Sequence, residues 1–436
     1  MTMKTDGSSL NKIRNTACCF MGLSHILYLK DYIKGLLFAA IELLFISLIP
    51  FFAKKINELI TLGAEHPELH IKFRDNSTYM LIDGIIVIAI IAIFVAVYAI
   101  SVKSAKKEYV NYCRTGRITQ QSVGESLNNA FPISGLAPCV IMLLLFVVVP
   151  LVFSIAVAFT NYSAPYHIAP AKTVDWVGVQ NFKELMFGGT GWSKGFAKIA
   201  VWTLVWAVLS TFTCYIVGLL VAVQLTQSGI RFSSVFRFIF ILPYAVPSVI
   251  TMLVWRNILN GDTGTINRTL KFFGIITENI PWLTNALLAQ IMCIVVNLWA
   301  GFGYFMMLSM GTMTAIPQDL YEAARIDGAN NGQILRHITL PLVLYQTMPL
   351  IIMSFTHNIN NFGIIYFLTN GAPVLPESTG TSAGGTDILV TWIYKLTVDL
   401  QKYSYASVIA VLIFLVLAPF AIYQFRHTKA YKEGEL

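Results

Sequence analysis

Eight stretches of apolar residues constrain the fold of this 436-residue chain more than any other feature. A stretch of about 20 apolar residues crosses the hydrocarbon core of a bilayer as a helix. The chain is 56% hydrophobic and only 12% charged, whereas soluble domains are roughly 25% charged. The sequence therefore predicts an all-α integral membrane protein with eight transmembrane helices. The predicted spans are residues 35–53, 79–101, 135–159, 199–224, 235–258, 284–311, 342–368 and 405–425.

The distribution of basic residues predicts the orientation of the chain. An even number of spans places both termini on one side, and Lys and Arg are enriched on the side that holds the termini. Residues that contribute to this excess are Lys103, Lys106, Lys107, Arg114, Arg117, Arg426, Lys429 and Lys432. The sequence thus predicts cytoplasmic N- and C-termini, with an N-terminal segment that is not cleaved. The same bias explains the net charge of +8, so no nucleic-acid partner is expected.

Three of the later spans carry polar and small residues at helical spacing, which places each set on one face of its helix. The sets are Tyr244 and Ser248; Asn297, Ala300, Gly301 and Tyr304; and Ser354, His357, Asn358 and Asn361. Such residues either hydrogen-bond between helices or line a cavity. Three successive sets favour a cavity lined by amides, hydroxyls, aromatic rings and one imidazole. These groups suit an uncharged ligand rich in hydroxyl groups better than an ion or a proton relay.

Two other features of the spans bear on their structure. Pro243 and Pro247 each remove a helical hydrogen bond, so the fifth span is expected to bend or open. Glu42 is a carboxylate inside the first span, where acids are costly. Because the first span has no other polar face, Glu42 is expected either to bond a neighbouring helix or to be protonated.

The segments outside the spans show no chemistry of catalysis. The sequence contains no GxxxxGK[ST], HExxH or CxxC motif, so neither nucleotide nor metal binding by these routes is expected. No catalytic residue and no cofactor of this chain is predicted. The segment 369–404 begins with NGAPVLPESTGTSAGG, and its Gly, Ser and Pro content predicts a mobile external loop.

The segment between the sixth and seventh spans is polar and reads YEAARIDGANNGQILRHITLPL from Tyr321. Pro317 suits the first turn of a helix that runs to Asp327. Gly328 lies at the position where a residue in the left-handed backbone conformation would end this helix. A second short helix is expected from about residue 331 to 337, leading through Pro341 into the seventh span.

This segment resembles the EAA motif of ATP-binding-cassette importer permeases. The matching residues are Glu322, Ala323, Ala324, Asp327, Gly328, Ala329, Gly332, Leu340 and Pro341. The resemblance implies a type I ABC importer permease fold, in which residues 314–341 form a coupling loop that docks its helix into a partner ATPase. It implies that Glu322, Ala323, Ala324 and Gly328 lie at that interface, with Arg325 and Asp327 close by.

The stretches FILPYAVPSVITMLVW, VVNLWAGFGYFMM and SFTHNINNFGIIYFLTNGAP are similar to the maltose/maltodextrin (MalF-type) permease family. In that family the corresponding spans carry the sugar pocket. The resemblance implies substrate-binding roles for Tyr244, Ser248, Asn297, Gly301, Tyr304, Ser354, Asn358 and Asn361. His357, which adjoins them, replaces a phenylalanine of the family pattern, and Ala300 replaces a leucine.

The resemblance also implies the organisation of the chain and of its complex. Residues 1–130 would hold the cytoplasmic N-terminus and two accessory helices, and residues 131–436 a six-helix permease core. The chain would pair with a second, MalG-like permease subunit in a bacterial plasma membrane. An ATPase homodimer would bind the ATP, and an extracellular sugar-binding protein would deliver the oligosaccharide.

The solute implied by the resemblance is maltose or maltodextrin. Another neutral oligosaccharide, such as a galactan fragment, or a polyol remains an alternative. Two other classes are an ion-coupled secondary transporter, which predicts intramembrane carboxylates and paired halves, and a membrane scaffold without transport. Neither class explains both the coupling motif and the three polar faces.

Overall fold

The computed structural model describes residues 7–115, 135–227 and 230–426. The chain divides into two compact units, Met1–Val177 and Gly178–Leu436. Within the described ranges, seven helices are long and apolar enough to cross a membrane, and a bent pair makes an eighth if it counts as one span. The predicted all-α membrane fold is therefore confirmed. The domain boundary predicted at residue 130 lies outside the described residues.

In its described residues, the first unit contains three membrane-length helices preceded by two shorter ones. Their bounds are α1 Gly7–Cys19, α2 Leu23–Leu27, α3 Tyr32–Thr61, α4 Ser77–Thr115 and α5 Gly135–Ala158, with a 3-10 turn at Ile71–Phe73. The side chain of Asp31 caps α3 by accepting a 3.2 Å hydrogen bond from the Lys34 amide. Helix α5 contains a π-helical turn at Leu144–Val148.

Glu42 is buried on α3, where it holds the turn between α1 and α2. Its carboxylate accepts a hydrogen bond from the backbone N–H of Met21. The hydroxyl of Tyr98 on α4 donates a 2.7 Å bond to the carbonyl of Cys18, near the end of α1. The intramembrane acid thus satisfies backbone groups of a neighbouring element, which is one of the two outcomes expected from the sequence.

The second unit contains the remaining spans and several short helices. They are α6 Gln180–Phe187, α7 Gly191–Gln227, α8 Ser233–Ala245, α9 Ser248–Ile258, α10 Thr265–Phe272, α11 Ala286–Thr314, α12 Gln318–Ile326, α13 Asn331–Ile359, α14 Phe362–Thr369, α15 Leu389–Val398 and α16 Tyr403–Arg426, with a 3-10 turn at Pro376–Ser378. The core forms where α7, α8, α11 and α13 pack together.

Two glycines allow the helices of this core to approach closely. A Cβ atom at Gly218 of α7 would lie 2.7 Å from the carbonyl oxygen of Phe302 on α11. A Cβ atom at Gly303 of α11 would lie 2.4 Å from the carbonyl oxygen of Phe240 on α8. Small residues bring backbones together in this way because helices in lipid associate mainly through packing.

Prolines and asparagines interrupt two of the predicted spans. The fifth span breaks between α8 and α9 with a bend of 91°, next to Pro247, so the expected bend is confirmed. The seventh span was predicted as one helix, and this was wrong, because α13 ends at Ile359 and α14 starts only at Phe362. Asn361 therefore precedes a new helix and does not continue the face of α13.

The seventh span also begins earlier than predicted. Helix α13 starts at Asn331, so the short helix expected at 331–337 is its first two turns. A π-helical turn at Leu335–Thr339 precedes Pro341. Proline has no N–H to donate to the hydrogen bonds of a helix. The wider π-helical turn therefore lets α13 continue through Pro341.

The loop from residue 370 to 388 is anchored by a buried ion pair. Asp387 is fully buried, and its carboxylate lies 2.7 Å from the ammonium of Lys395 on α15. The same carboxylate accepts bonds from the Gly384 amide at 2.8 Å and the Thr391 hydroxyl at 2.9 Å. Burial raises the pKa of Asp387, and Lys395 opposes that shift. These contacts contradict the mobile loop expected from composition. The composition of a segment does not show which of its side chains are held by tertiary contacts.

Candidate functional site

A cavity of about 750 Å³ lies in the second unit, among α7, α8, α9, α11, α13 and α14. Its volume falls within the roughly 300–1,000 Å³ range of small-molecule sites. All nine residues predicted to bind substrate line it: Tyr244, Ser248, Asn297, Gly301, Tyr304, Ser354, His357, Asn358 and Asn361. The fold therefore brings the three polar faces together around one space. Their role in binding remains a prediction.

Asn358 is the most firmly held of the polar lining residues. Its amide nitrogen donates a 2.9 Å hydrogen bond to the hydroxyl of Thr211 on α7. The backbone carbonyl of Asn358 accepts a 3.1 Å bond from the indole N–H of Trp206, also on α7. Asn361 donates a longer bond of 3.3 Å to the side-chain oxygen of Asn358. The end of α13 is thus fixed against α7, and the weakly bonded Asn361 is the freer of the two amides.

Asn297 and Gly301 lie on α11 beside Cys214 of α7. The Asn297 amide lies 3.5 Å from the Cys214 sulfur. A Cβ atom at Gly301 would lie 3.1 Å from the same sulfur, closer than ordinary contact. The absence of a side chain at Gly301 therefore leaves room both for Cys214 and for the cavity.

Two tyrosines form an aromatic part of the lining. The rings of Tyr244 and Tyr304 have centroids 5.5 Å apart and are inclined by 30°. Tyr244 lies just before the break between α8 and α9, and Ser248 is the first residue after it. Both tyrosines are more than one-third exposed, at 55% and 37%. Their exposed faces offer a surface on which a sugar ring can pack.

Several lining residues were not predicted from the sequence. They are Ser210, Cys214, Pro243, Ala245, Val246, Pro247, Thr251, Met252, Phe305, Leu350, Met353 and Ile364, whereas Ala300 lines the cavity as its place on the predicted face implies. Helix α7 contributes Ser210 and Cys214, one turn apart. No face of α7 was predicted to line the cavity, although Thr203, Ser210 and Cys214 share the spacing of one helix face.

The lining combines polar and apolar side chains but is uncharged. Among the described residues around the cavity, none is Asp, Glu, Lys or Arg, and His357 is the only one with an ionisable imidazole. Transferring an ion into such a space would leave its charge without a counter-charge. A neutral ligand with many hydroxyl groups, in contrast, finds both donors and acceptors among the amides and hydroxyls.

The predicted coupling segment forms two helices separated by a tight turn. Helix α12 ends at Ile326, and Gly328 adopts a left-handed φ of +77°. The Gly328 amide bonds the carbonyl of Arg325 at 3.1 Å, and the Ala329 amide bonds that of Ala324 at 2.9 Å. This pair of bonds is the Schellman motif, so the predicted role of Gly328 as a helix stop is confirmed.

The next helix of the segment has its own cap. Asn330 and Gln333 exchange hydrogen bonds between side chain and backbone, both of 2.9 Å, in a capping box at the start of α13. The turn is therefore defined on both sides by local sequence.

One face of α12 and of the turn that follows it has no partner among the residues that the structure describes. Glu322, Ala323, Arg325, Asp327 and Gly328 are exposed, and Ala324 is half-buried. Ile326 is 86% exposed, a large apolar side chain that the sequence did not single out. On the other face, Tyr321 packs against the core of the unit. The segment thus presents a small, partly apolar surface outward.

The coupling segment and the loop at 370–388 lie at opposite ends of α11. Gln290, near the start of this helix, donates a 2.6 Å bond to the carbonyl of Gly385. Helix α12 follows directly after the end of α11 at Thr314. A helix of 29 residues spans roughly 43 Å, so the two features lie on opposite sides of a bilayer.

Comparison with known proteins agrees with this geometry. Residues 214–428 match the family described as binding-protein-dependent transport system inner membrane component. This region contains α8 to α16, almost all of the cavity lining and the coupling segment.

Two curated relatives are similar over nearly the whole chain. The galactooligosaccharides transport system permease protein GanP of Bacillus subtilis (strain 168) is 37% identical over 413 residues, covering 93% of this chain and 95% of the relative. The maltodextrin transport system permease protein MdxF of the same organism is 33% identical over 413 residues, covering 92% of each.

A solved structure shares the fold. It is the crystal structure of a bacterial alginate ABC transporter in complex with an alginate pentasaccharide-bound periplasmic protein. The matched chain has a TM-score of 0.56 and 20% identity, covering 72% of this chain and 99% of that one. At this identity the likeness concerns the fold alone.

Proposed function

Because the chain belongs to the family of binding-protein-dependent transport system inner membrane components, we propose that it forms half of the channel of an ATP-driven importer of neutral oligosaccharides. The observation that carries the substrate class is the uncharged cavity lined by amides, hydroxyls and two tyrosine rings. The chain itself is a transport component and not an enzyme.

Maltodextrin is the solute that we propose first. The stretches ILPYAVPS and NINNFG, which resemble the maltodextrin-type family, contribute Tyr244, Ser248, Asn358 and Asn361 to the cavity. A galactooligosaccharide is the second candidate, since the relative named for that solute is 37% identical. His357 faces the same cavity and offers a hydrogen bond or a ring surface to either sugar.

The partners follow from the surfaces that the chain leaves open. The exposed apolar residues of α8 and α9, such as Phe238 and Ile250, fit a second permease subunit. The outward face of α12 fits a cleft of an ATPase subunit, in which Ile326 would bury its side chain. An extracellular sugar-binding protein would meet the opposite side, where the loop at 370–388 lies. In this orientation both termini are cytoplasmic.

Transport in this arrangement is alternating access driven by a partner. ATP binds and is hydrolysed in the ATPase subunits. Their closure moves α12, and the capped turn at Gly328 passes that movement to α13, which carries Ser354, His357 and Asn358. The cavity then opens alternately to the two sides of the membrane.

The test is uptake by the complete complex in proteoliposomes, with the binding protein outside and ATP inside. We expect ATP-dependent accumulation of radiolabelled maltotriose that persists when ionophores dissipate ion gradients. Competition with unlabelled galactotriose ranks the two candidate sugars. Uptake that follows the ion gradient and not ATP would overturn the proposal, as would transport of charged solutes only.

A further inference from the structure

Two serine hydroxyls inside the spans of the second unit are buried without a hydrogen-bond partner. Ser210 on α7 and Ser309 on α11 are both fully buried, and neither hydroxyl has a partner among the described residues. Buried polar groups in proteins are almost always hydrogen-bonded, so each exception needs a reason.

The other hydroxyls of α7 show that the helix offers local partners. Thr203 donates to the carbonyl of Ile199 at 2.7 Å, and Thr213 donates to that of Leu209 at 2.6 Å. This bond to the carbonyl four residues earlier is the usual one for a hydroxyl in a membrane helix. Ser210 does not make it, so its hydroxyl is available to another group.

The position of Ser210 distinguishes it from Ser309. Ser210 lines the cavity, whereas Ser309 does not. Its neighbours on α7 are fixed, because Trp206 and Thr211 both bond Asn358 of the lining. The helix therefore holds the Ser210 hydroxyl at a defined place beside the predicted sugar-binding residues.

We propose that the Ser210 hydroxyl hydrogen-bonds a hydroxyl group of the transported oligosaccharide. This inference rests on the proposed function and adds α7 to the site, as a helix outside the three polar spans found from the sequence. A serine hydroxyl both donates and accepts, so it matches a sugar hydroxyl in either orientation.

Ser210→Ala in the reconstituted complex tests the contact. Removal of an unpartnered buried hydroxyl leaves no protein group unsatisfied, so the variant is expected to fold and assemble. We expect the KM for radiolabelled maltotriose uptake to rise about fivefold, as for loss of one hydrogen bond. Ser309→Ala provides a control with the same burial and the same change, and its KM should stay within about twofold of the original.

Monodeoxy maltotrioses identify the contact more directly. For one of these analogues, the original protein and Ser210→Ala should show the same KM, because the sugar hydroxyl that Ser210 bonds is missing. An unchanged KM in Ser210→Ala, or an equal rise in both serine variants, would overturn the inference. If the original complex transports no oligosaccharide, the proposed function itself fails, a result distinguishable from loss of the Ser210 effect alone.

Discussion

The amide of Asn358 donates a 2.9 Å hydrogen bond to the hydroxyl of Thr211, and so joins the predicted sugar site to helix α7. Both residues are buried, at 5% and 0% exposure. An asparagine that fixes two helices affects stability as well as binding when it is replaced. The side chain of Asn361 makes only a long 3.3 Å bond to Asn358 among the described residues, so its replacement separates binding from stability better.

Asn361→Ala and Thr211→Val should therefore differ in their effects. Thr211→Val leaves the Asn358 amide without its acceptor, so we expect a loss of about 1 kcal/mol in the free energy of unfolding and a lower Tm. Asn361→Ala should leave the Tm of the purified complex nearly unchanged and raise the KM for uptake. An unchanged KM in Asn361→Ala would contradict its assignment to the site.

Gly301→Ala should be harmful only while Cys214 is present. The added methyl group meets the Cys214 sulfur at 3.1 Å, so one of them must move. In a Cys214→Ala background the contact disappears, and alanine is a better helix former than glycine. The loss of Tm on Gly301→Ala should thus be smaller in that background, as a double-mutant cycle measures. Equal losses of Tm in the two backgrounds would show that the contact with Cys214 does not cause the destabilisation.

Tyr304 is expected to act through its ring. Tyr304→Phe keeps the ring beside Tyr244, so the KM for uptake should stay within about threefold of the original. Tyr304→Ala removes the stacking surface, and the KM should rise about tenfold, or ~1.4 kcal/mol. Tyr345→Ala serves as the control, because Tyr345 is 74% exposed and does not line the cavity. A large effect of Tyr304→Phe would instead assign the role to the hydroxyl.

The sequence predicted those features that depend on local patterns. Apolar runs located the spans, Pro247 located the bend of the fifth, and Gly328 located the end of α12, because each acts on its own stretch of backbone. The nine residues around the cavity were found from helical spacing within single spans. These signals require no knowledge of which helices are neighbours.

The features that the sequence missed depend on contacts between distant residues. Ser210 lines the cavity because α7 packs beside α13, a fact that no pattern within α7 contains. Asp387 and Lys395 meet only after the loop folds over them, so its Gly- and Ser-rich composition misled the prediction of mobility.

The Asp387–Lys395 pair should hold the loop at 370–388 in place. Replacement of one partner leaves a buried charge alone, so Asp387→Asn and Lys395→Met should each destabilise the loop by ~3 kcal/mol. The double variant, which buries no unpaired charge, should lose less than the sum of the two. The rate at which a protease cleaves the loop in membrane vesicles measures how readily the loop opens. Additive losses in the double variant would show that the two charges do not interact.

Gly328 should be required for its left-handed backbone and not for lack of space. Its φ is +77°, and a Cβ atom there would meet no atom within 4 Å. A β-branched residue disfavours this conformation by roughly 1–2 kcal/mol, whereas asparagine tolerates it. Gly328→Val should therefore disturb the Schellman turn that ends α12, and Gly328→Asn should preserve it.

The expected readout is a loss of coupling. In proteoliposomes Gly328→Val should lower ATP-dependent uptake at least tenfold, or ~1.4 kcal/mol in coupling, while the ATPase subunits still hydrolyse ATP. Gly328→Asn should retain most of the uptake. Gly311→Val makes the same change within α11, where the backbone is helical and the added Cβ also meets no atom, so coupling should persist. Equal behaviour of Gly328→Asn and Gly328→Val would refute the conformational explanation, and normal uptake by both would refute a coupling role for the turn.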